Sequence, residues 1–335
     1  MRALTSLMSI CFMSIVGIYP LDGRAEYVVS EILFVPWGEG PNELEIWEPY
    51  LEYHDGPDID TVGHLEAAGG PSKGFVDSQE NVYFISYTIS YFKGFNVNGE
   101  VIVNYSQGKT EFNWEFFRGA FNDFYVDSLG RIYCVGNEMR GAYVPIADRN
   151  NNLINKLNPV GVESGIPCYI LARGSNDILI FDSFDYGFYT YMNDQFYPGG
   201  SGSWRAPDGH FYSGNTASSS AIRLTRIADP DTAGIPASID TLLIPFEPGN
   251  LIMGGLIGVD DSMRFYIEHK DSSSTEWGVR VYGQNFTLLD EFRLLPREEN
   301  RFLVYLPYPF LRNDGNVYEF HCRDDGMHVF RWSKK

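Results

Sequence analysis

A chain of 335 residues is too long for a mini-protein, and 44% hydrophobic with 16% aromatic residues supply a core that excludes global disorder. Twenty-five basic against 44 acidic side chains leave a net charge of −19, the wrong sign for gripping phosphates. Neither nucleic acid nor an anionic lipid surface is therefore expected as a partner.

The first predicted element is an export leader. Met1-Arg2 is followed by an uncharged run from Ala3 to Ile18, then by a polar stretch ending Gly23-Arg24-Ala25. A basic start, a short apolar run and small residues before the cut match a secretory signal with cleavage near Ala25, so residues 1–25 are assigned as signal peptide. A secreted or periplasmic location follows. The apolar run is too short for a comfortable membrane span, and no second one follows it. The bulky Met8-Ser9-Ile10 ahead of Cys11 argues against a lipid anchor. Residues 26–335 are expected to form a single domain, with a monomer the simplest state. Cys134, Cys168 and Cys322 remain after cleavage, each in an apolar stretch without Cys-x-x-Cys spacing, and read as core thiols.

Tyr27 to Val35 reads as a strand, and an internal repeat begins after it. VDSQENVY at 76–83 is echoed by VDSLGRIY at 126–133, and more weakly at 206–212, 259–266 and 313–318, with a degenerate copy at 174–179. In each copy a strand meets a tight Asp, Ser, Asn or Gly turn and then a β-branched or aromatic strand, which makes it a hairpin. Marked at Tyr83, Tyr133, Leu179, Tyr212, Tyr266 and Tyr318, the copies step by 50, 46, 33, 54 and 52 residues. Second hairpins at 95–103, 189–196 and 279–289 give four strands per unit. The prediction is an all-β, six-bladed β-propeller, since radial repetition of four-stranded sheets disposes of strand edges. Seven blades are the alternative if Glu43 to Leu65 forms a degenerate one. Only Met327 to Trp332 follows Tyr318, so the last blade lacks its outer strand, and Tyr27 to Val35 is expected to supply it and close the ring. Ser213–Ala221 reads as a long turn, Ala228–Ser238 as an outer excursion, and helix is expected to be minimal.

Gly38-Glu39-Gly40-Pro41 near the start, with Asn122-Asp123 farther on, resembles the SMP-30/gluconolactonase family. The resemblance implies a divalent metal such as calcium at the centre of the ring and lactone hydrolysis, with Glu39 and Asn122 matching two of the ligands. The chain departs from the pattern at Pro167, where the second asparagine would stand, and at Ser201, near the place of the aspartate that serves as ligand and base. A hard cation wants several oxygen donors, so these departures remove much of the site. The same GEGPNE segment also resembles the opening of secreted bacterial six-bladed propellers with NHL-like repeats, which implies a fold without an assigned activity.

Other motifs carry less. Asp55, Asp58 and Asp60 lack the alternate spacing of a calcium loop, and the six histidines form no His-x-x-x-His pair. Ser201 and Ser203 lie in no Gly-x-Ser-x-Gly elbow. The 22 tyrosines and six tryptophans are expected mainly to fill the space between blades. Residues just before each repeat's aspartate lie on the innermost strand and face the channel or its mouth. Asn122, Asp123, Trp204, Arg205 and Tyr308 are therefore the candidate binding surface. The expected function is an interaction module for a protein, peptide or glycan, without catalytic residues and without a cofactor; a metal-dependent lactonase is the alternative.

Overall fold

One five-residue turn builds seven of the hairpins among the described residues. A backbone N–H of residue i donates to the carbonyl of i+4, while the N–H of i+3 donates back to the carbonyl of i. This pair of bonds recurs seven times among the described residues, starting at Asp77, Asn96, Asp127, Ala206, Asp260, Gly283 and Arg312. The geometry demands a left-handed backbone at i+3. Glycine supplies it at 99, 130, 209 and 315, whereas Glu80, Met263 and Phe286 adopt it with a side chain.

The protein's computed structural model describes residues 17–18, 27–46, 70–86, 91–106, 121–136, 144–150, 152–157, 167–173, 179–183, 187–192, 195–198, 204–227, 238–246, 251–272, 276–296 and 309–335. Among them there is no helix, and hence none long and apolar enough to cross a membrane.

The strands follow one another in up-and-down order. β1 (Gly17–Ile18) and β2 (Tyr27–Pro36) come first. The first set is β3 (Lys73–Val76), β4 (Val82–Ser86), β5 (Tyr91–Phe95) and β6 (Val101–Ser106), and the second is β7 (Phe121–Val126), β8 (Ile132–Gly136), β9 (Val144–Ala147) and β10 (Leu153–Leu157). The third comprises β11 (Pro167–Arg173), β12 (Leu179–Ser183), β13 (Gly187–Met192) and β14 (Gln195–Pro198). Next come β15 (Trp204–Arg205), β16 (Phe211–Ser218), β17 (Ala221–Ile227) and β18 (Ser238–Pro245), then β19 (Leu251–Val259), β20 (Phe265–Asp271), β21 (Trp277–Tyr282) and β22 (Leu288–Arg293). The last strands, β23 (Phe310–Leu311), β24 (Val317–Arg323) and β25 (Gly326–Lys334), are completed by β2 in the order β23-β24-β25-β2-β1.

Packing between sets makes the ring. Tyr83 and Phe92 of the first set pack with Phe124 and Tyr133 of the second. β11 lies against β7 and β8 on one side and β15 on the other. Leu224 and Ile222 meet Phe265 and Ile267, and Val279 and Phe292 in turn meet Trp332 of the closing sheet. That sheet's Tyr318 and Val329 pack on Phe84 and Phe95 of the first set, returning to the start. The chain is a β-propeller. Aromatic side chains account for much of the fully buried volume, Trp332, Tyr83, Tyr91, Tyr133, Tyr266 and Tyr318 among them. Their size lets twisted sheets fill the wedge between neighbours.

The predicted closure by the N-terminal strand is observed. Tyr27 pairs Lys334 and Pro36 pairs Gly326, with one irregularity between Glu31 and Leu33. Gly17 and Ile18, inside the predicted leader, pair with Val29 and Val28 on the free edge of β2. Residues 47–69, which hold most of the segment behind the seven-blade alternative, lie outside the described residues, as do residues 228–237 and the aspartates at 55, 58 and 60.

One expectation is corrected. Ser213–Ala221 is not a long turn: residues 213–218 run on as β16, paired with β17 from Phe211↔Ile227 to Ser218↔Ala221, and Ser219 and Ser220 alone make the turn. Asn215 also pairs with Gly255, so two neighbouring sets fuse into one eight-stranded sheet. The seam needs Gly214, because a Cβ there would lie 3.0 Å from the Leu256 nitrogen. The Thr216 hydroxyl accepts from the Gly254 N–H at 2.8 Å and donates to its carbonyl at 3.0 Å. A polar run looks like loop in sequence because its hydrogen-bond partner is 38 residues away.

Candidate functional site

The inner strands and the turns that follow them enclose a cavity of about 310 Å³. Its walls are the C-terminal ends of β3 (Phe75, Val76), β7 (Tyr125, Val126) and β23 (Phe310, Leu311), with Trp204 from β15. Asp77, Ser78, Asp127, Ser128, Asp261, Arg312, Asn313 and Asp314 form the rim. Strand ends supply the aromatic wall because the inner strand of each hairpin is short and its last residues precede the turn. Phe75 sits 5.2 Å from Phe310 and 5.3 Å from Tyr125, ring centre to ring centre, both steeply inclined. The volume suits a small molecule or one large side chain.

Most rim carboxylates are spent on the turns. Asp77 Oδ1 accepts the N–H groups of Gln79 (2.8 Å) and Asn81 (2.9 Å), and Oδ2 accepts the Tyr83 hydroxyl (2.9 Å) and Arg149 Nη2 (3.1 Å). Asp127 takes the same backbone bonds from Leu129 and Arg131, the Tyr133 hydroxyl and Arg131 Nε. Burial pushes the Tyr83 phenol well above its ordinary range, reinforced by the Asp77 carboxylate, so the hydroxyl remains a donor. Arg312 is equally committed. It donates to the Tyr318 hydroxyl (3.1 Å) and the Ser78 carbonyl (3.4 Å), and pairs with Asp314 at 3.0 Å.

Asp261 differs. Its N–H donates to the Asn313 carbonyl at 2.8 Å, tying two turns together, but its carboxylate has no hydrogen-bond or ion-pair partner among the described residues. Asp261 is exposed at the rim, and its carboxyl is raised by partial desolvation first, then by the neighbouring Asp260 and Asp314 carboxylates.

Of the five predicted binding residues, Trp204 and Asp123 have described side chains. Trp204 lines the cavity, held by an Nε1–H bond to the Val259 carbonyl at 2.7 Å. Asp123 is buried in an ion pair with Lys73 of β3 and also accepts the Phe124 N–H at 2.7 Å, so it joins two inner strands. Asn122 and Arg205 lie on β7 and β15, but their side chains fall outside the described residues, as does the whole of Tyr308. Sequence reasoning missed Phe75, Tyr125, Phe310 and Asp261. The signal was present in the repeat itself, since Phe75 and Tyr125 occupy matching positions two residues before Asp77 and Asp127.

The GEGPNE segment is a brace. Leu44 N–H donates to the Pro36 carbonyl and Gly38 N–H to the Leu44 carbonyl, both at 3.0 Å, and Glu43 Oε2 caps the Gly40 N–H at 2.7 Å. The buried Lys93 of β5 donates to the Glu43 carbonyl at 2.6 Å. Glu39 itself is exposed. Among the described residues no three His, Cys, Asp or Glu side chains group to hold a metal. Cys134 and Cys322 are buried free thiols, and burial pushes Cys322 up to about 12.

A ring of up-and-down sheets with a pocket at the ends of its inner strands defines a propeller with a candidate ligand site. No family model matches the sequence, and no curated protein does. Solved structures similar to the chain include virginiamycin B lyase from Staphylococcus aureus, at 12% identity and a TM-score of 0.41, covering 88% of this chain and 100% of that one. Another is a gluconolactonase from Xanthomonas campestris, at 12% identity and a TM-score of 0.42, covering 91% and 98%. A third is the calcium-binding protein regucalcin from Agrobacterium tumefaciens, at 11% identity and a TM-score of 0.39, covering 79% and 91%. Likeness this distant identifies no activity. The expectation that the chain needs no cofactor is corrected: a calcium-binding protein stands among these neighbours, so the absence of a metal is not a property to carry forward.

Proposed function

We propose that the protein binds a ligand in the cavity at the inner-strand ends, seating a small molecule or one side chain of a peptide or glycan-bearing partner against Phe75, Tyr125, Trp204 and Phe310. The observation that supports this is the convergence of four inner strands on one aromatic-walled space of about 310 Å³, rimmed by turns whose own bonds already hold them rigid. Rigid walls reduce the ordering cost of binding.

Ligand-observed NMR with a mixed panel of short peptides and oligosaccharides tests the reading on the wild type and Trp204→Ala. Hits lost in the variant are expected; hits that bind the variant equally well sink it. A second reading, metal-dependent lactone hydrolysis, draws on the resemblance carried by Glu39 and Asn122. Turnover of a simple aldonolactone with added calcium, zinc or manganese, abolished by Glu39→Ala, would establish it instead.

A further inference from the structure

The rim of the cavity balances its charges with one exception. Asp77 is neutralised by Arg149 at 3.1 Å, Asp127 by Arg131 at 2.5 Å and Asp314 by Arg312 at 3.0 Å. The guanidinium of Arg312 in turn serves Asp314, the Tyr318 hydroxyl and the Ser78 carbonyl. Asp261 alone among the lining carboxylates has no cation beside it within the described residues, and Asp260 and Asp314 face it. The same cavity is lined by the rings of Phe75, Tyr125, Trp204 and Phe310, and aromatic rings attract a cation and pack against an apolar stem.

We infer that the cavity takes a ligand bearing one alkylammonium group on an apolar body, the ammonium paired with Asp261 and the body seated against Trp204, Phe75 and Phe310. The inference deepens the ligand-binding reading above and rests on it. The stem enters a space too small for a folded partner, and the single unpaired carboxylate matches a single positive charge. The acidic surface, −19 overall, concentrates cations near the mouth. A lysine side chain of a peptide and a free alkylamine share this chemistry.

Four probes separate these cases by calorimetry and by tryptophan fluorescence: N-acetyl-phenylalanyl-lysine amide, its norleucine counterpart, 4-phenylbutylamine and 4-phenylbutanol. Each ammonium probe is expected to bind about tenfold more tightly than its neutral partner. Asp261→Asn is expected to erase that difference while leaving the neutral probes unchanged, and Asp314→Asn, which removes an already paired carboxylate, is expected to preserve most of it. Preference for the peptide identifies a side-chain source, and preference for the amine a free one. If ammonium and neutral probes bind equally and Trp204→Ala weakens both, the charge assignment falls while the cavity reading stands. If no probe binds, or binding ignores Trp204→Ala, both fall. Circular dichroism of Asp261→Asn confirms the fold; the carboxylate holds no structural partner, so the variant is expected to fold as the wild type.

Discussion

Two kinds of turn share one backbone closure and differ in where the aspartate stands. In turns starting at Asp77, Asp127 and Asp260, the first residue is a buried aspartate that accepts two backbone N–H groups, a tyrosine hydroxyl and the side chain of the fifth turn residue. In turns starting at Ala206 and Arg312 the aspartate has moved two places on, to Asp208 and Asp314. There each takes one backbone N–H, from His210 at 3.0 Å and Asn316 at 3.0 Å, while partly open to water. The backbone bonds are the same in all five. A five-residue turn is therefore specified by its hydrogen-bond closure, and the aspartate at its first position adds a buried anchor that only some copies use.

The sharpest way to break this comparison is to remove the anchor. Asp260→Ala would strand the Ser262 and Arg264 N–H groups, the Tyr266 hydroxyl and the Arg264 guanidinium, and is expected to cost about 3–5 kcal/mol. Asp314→Ala should cost below about 1 kcal/mol. Urea midpoints of the two variants measure the contrast, and equal losses would mean that the displaced aspartate anchors just as firmly.

Next comes the backbone. Gly315 has φ +87°, and a Cβ there would meet Arg264 Nη2 and the Tyr266 hydroxyl at 2.7 Å, the polar cluster of the neighbouring turn. Gly315→Ala combines left-handed strain with overpacking and is expected to lose about 3 kcal/mol. At Gly99, φ +76°, the nearest atom to a Cβ is Leu33 Cδ1 at 3.9 Å, so alanine pays for conformation alone, about 1 kcal/mol. Thermal unfolding separates the two.

The smallest effect sharpens the comparison at its edge. Asp148 holds a first position but is poorly buried, and bonds from the Asn152 side chain and the Asn150 and Asn152 N–H groups hold its carboxyl below the ordinary range. A depressed carboxyl stabilises fully above its unfolded value, near about 4, and loses that contribution as pH falls. Asp148→Asn keeps the backbone bonds, as Asn96 does in its own turn, so a change under about 0.5 kcal/mol is expected at pH 7. The gap should close as denaturation is repeated below pH about 4. A gap that stays constant would show that charge is irrelevant there.

Tyr83, Tyr133, Tyr212, Tyr266 and Tyr318 marked the repeat correctly because each stands six residues after the start of its turn, wherever the aspartate falls. Aligning the copies on aspartate, by contrast, places Asp208 and Asp314 two residues out of step. Of the site, Trp204 was legible as an inner-strand residue before a turn. The walls Phe75, Tyr125 and Phe310 were hidden among many aromatics that only pack. Asp261 was hidden by Asp260 beside it: the two are chemically identical in sequence, and one is saturated while the other is not.

By itself the sequence determined the strand-turn-strand repeat, the approximate spacing and the need for an N-terminal strand to finish the last sheet, because turn chemistry and alternating burial are local properties. Only the tertiary structure decided which turns converge on one cavity, which carboxylates are neutralised there, and that a serine-rich run is a strand joined to its neighbour. Those outcomes depend on partners 38 to more than 200 residues away, such as Thr216 with Gly254 and Arg312 with Ser78. Ion pairing and cavity shape arise from that distant company.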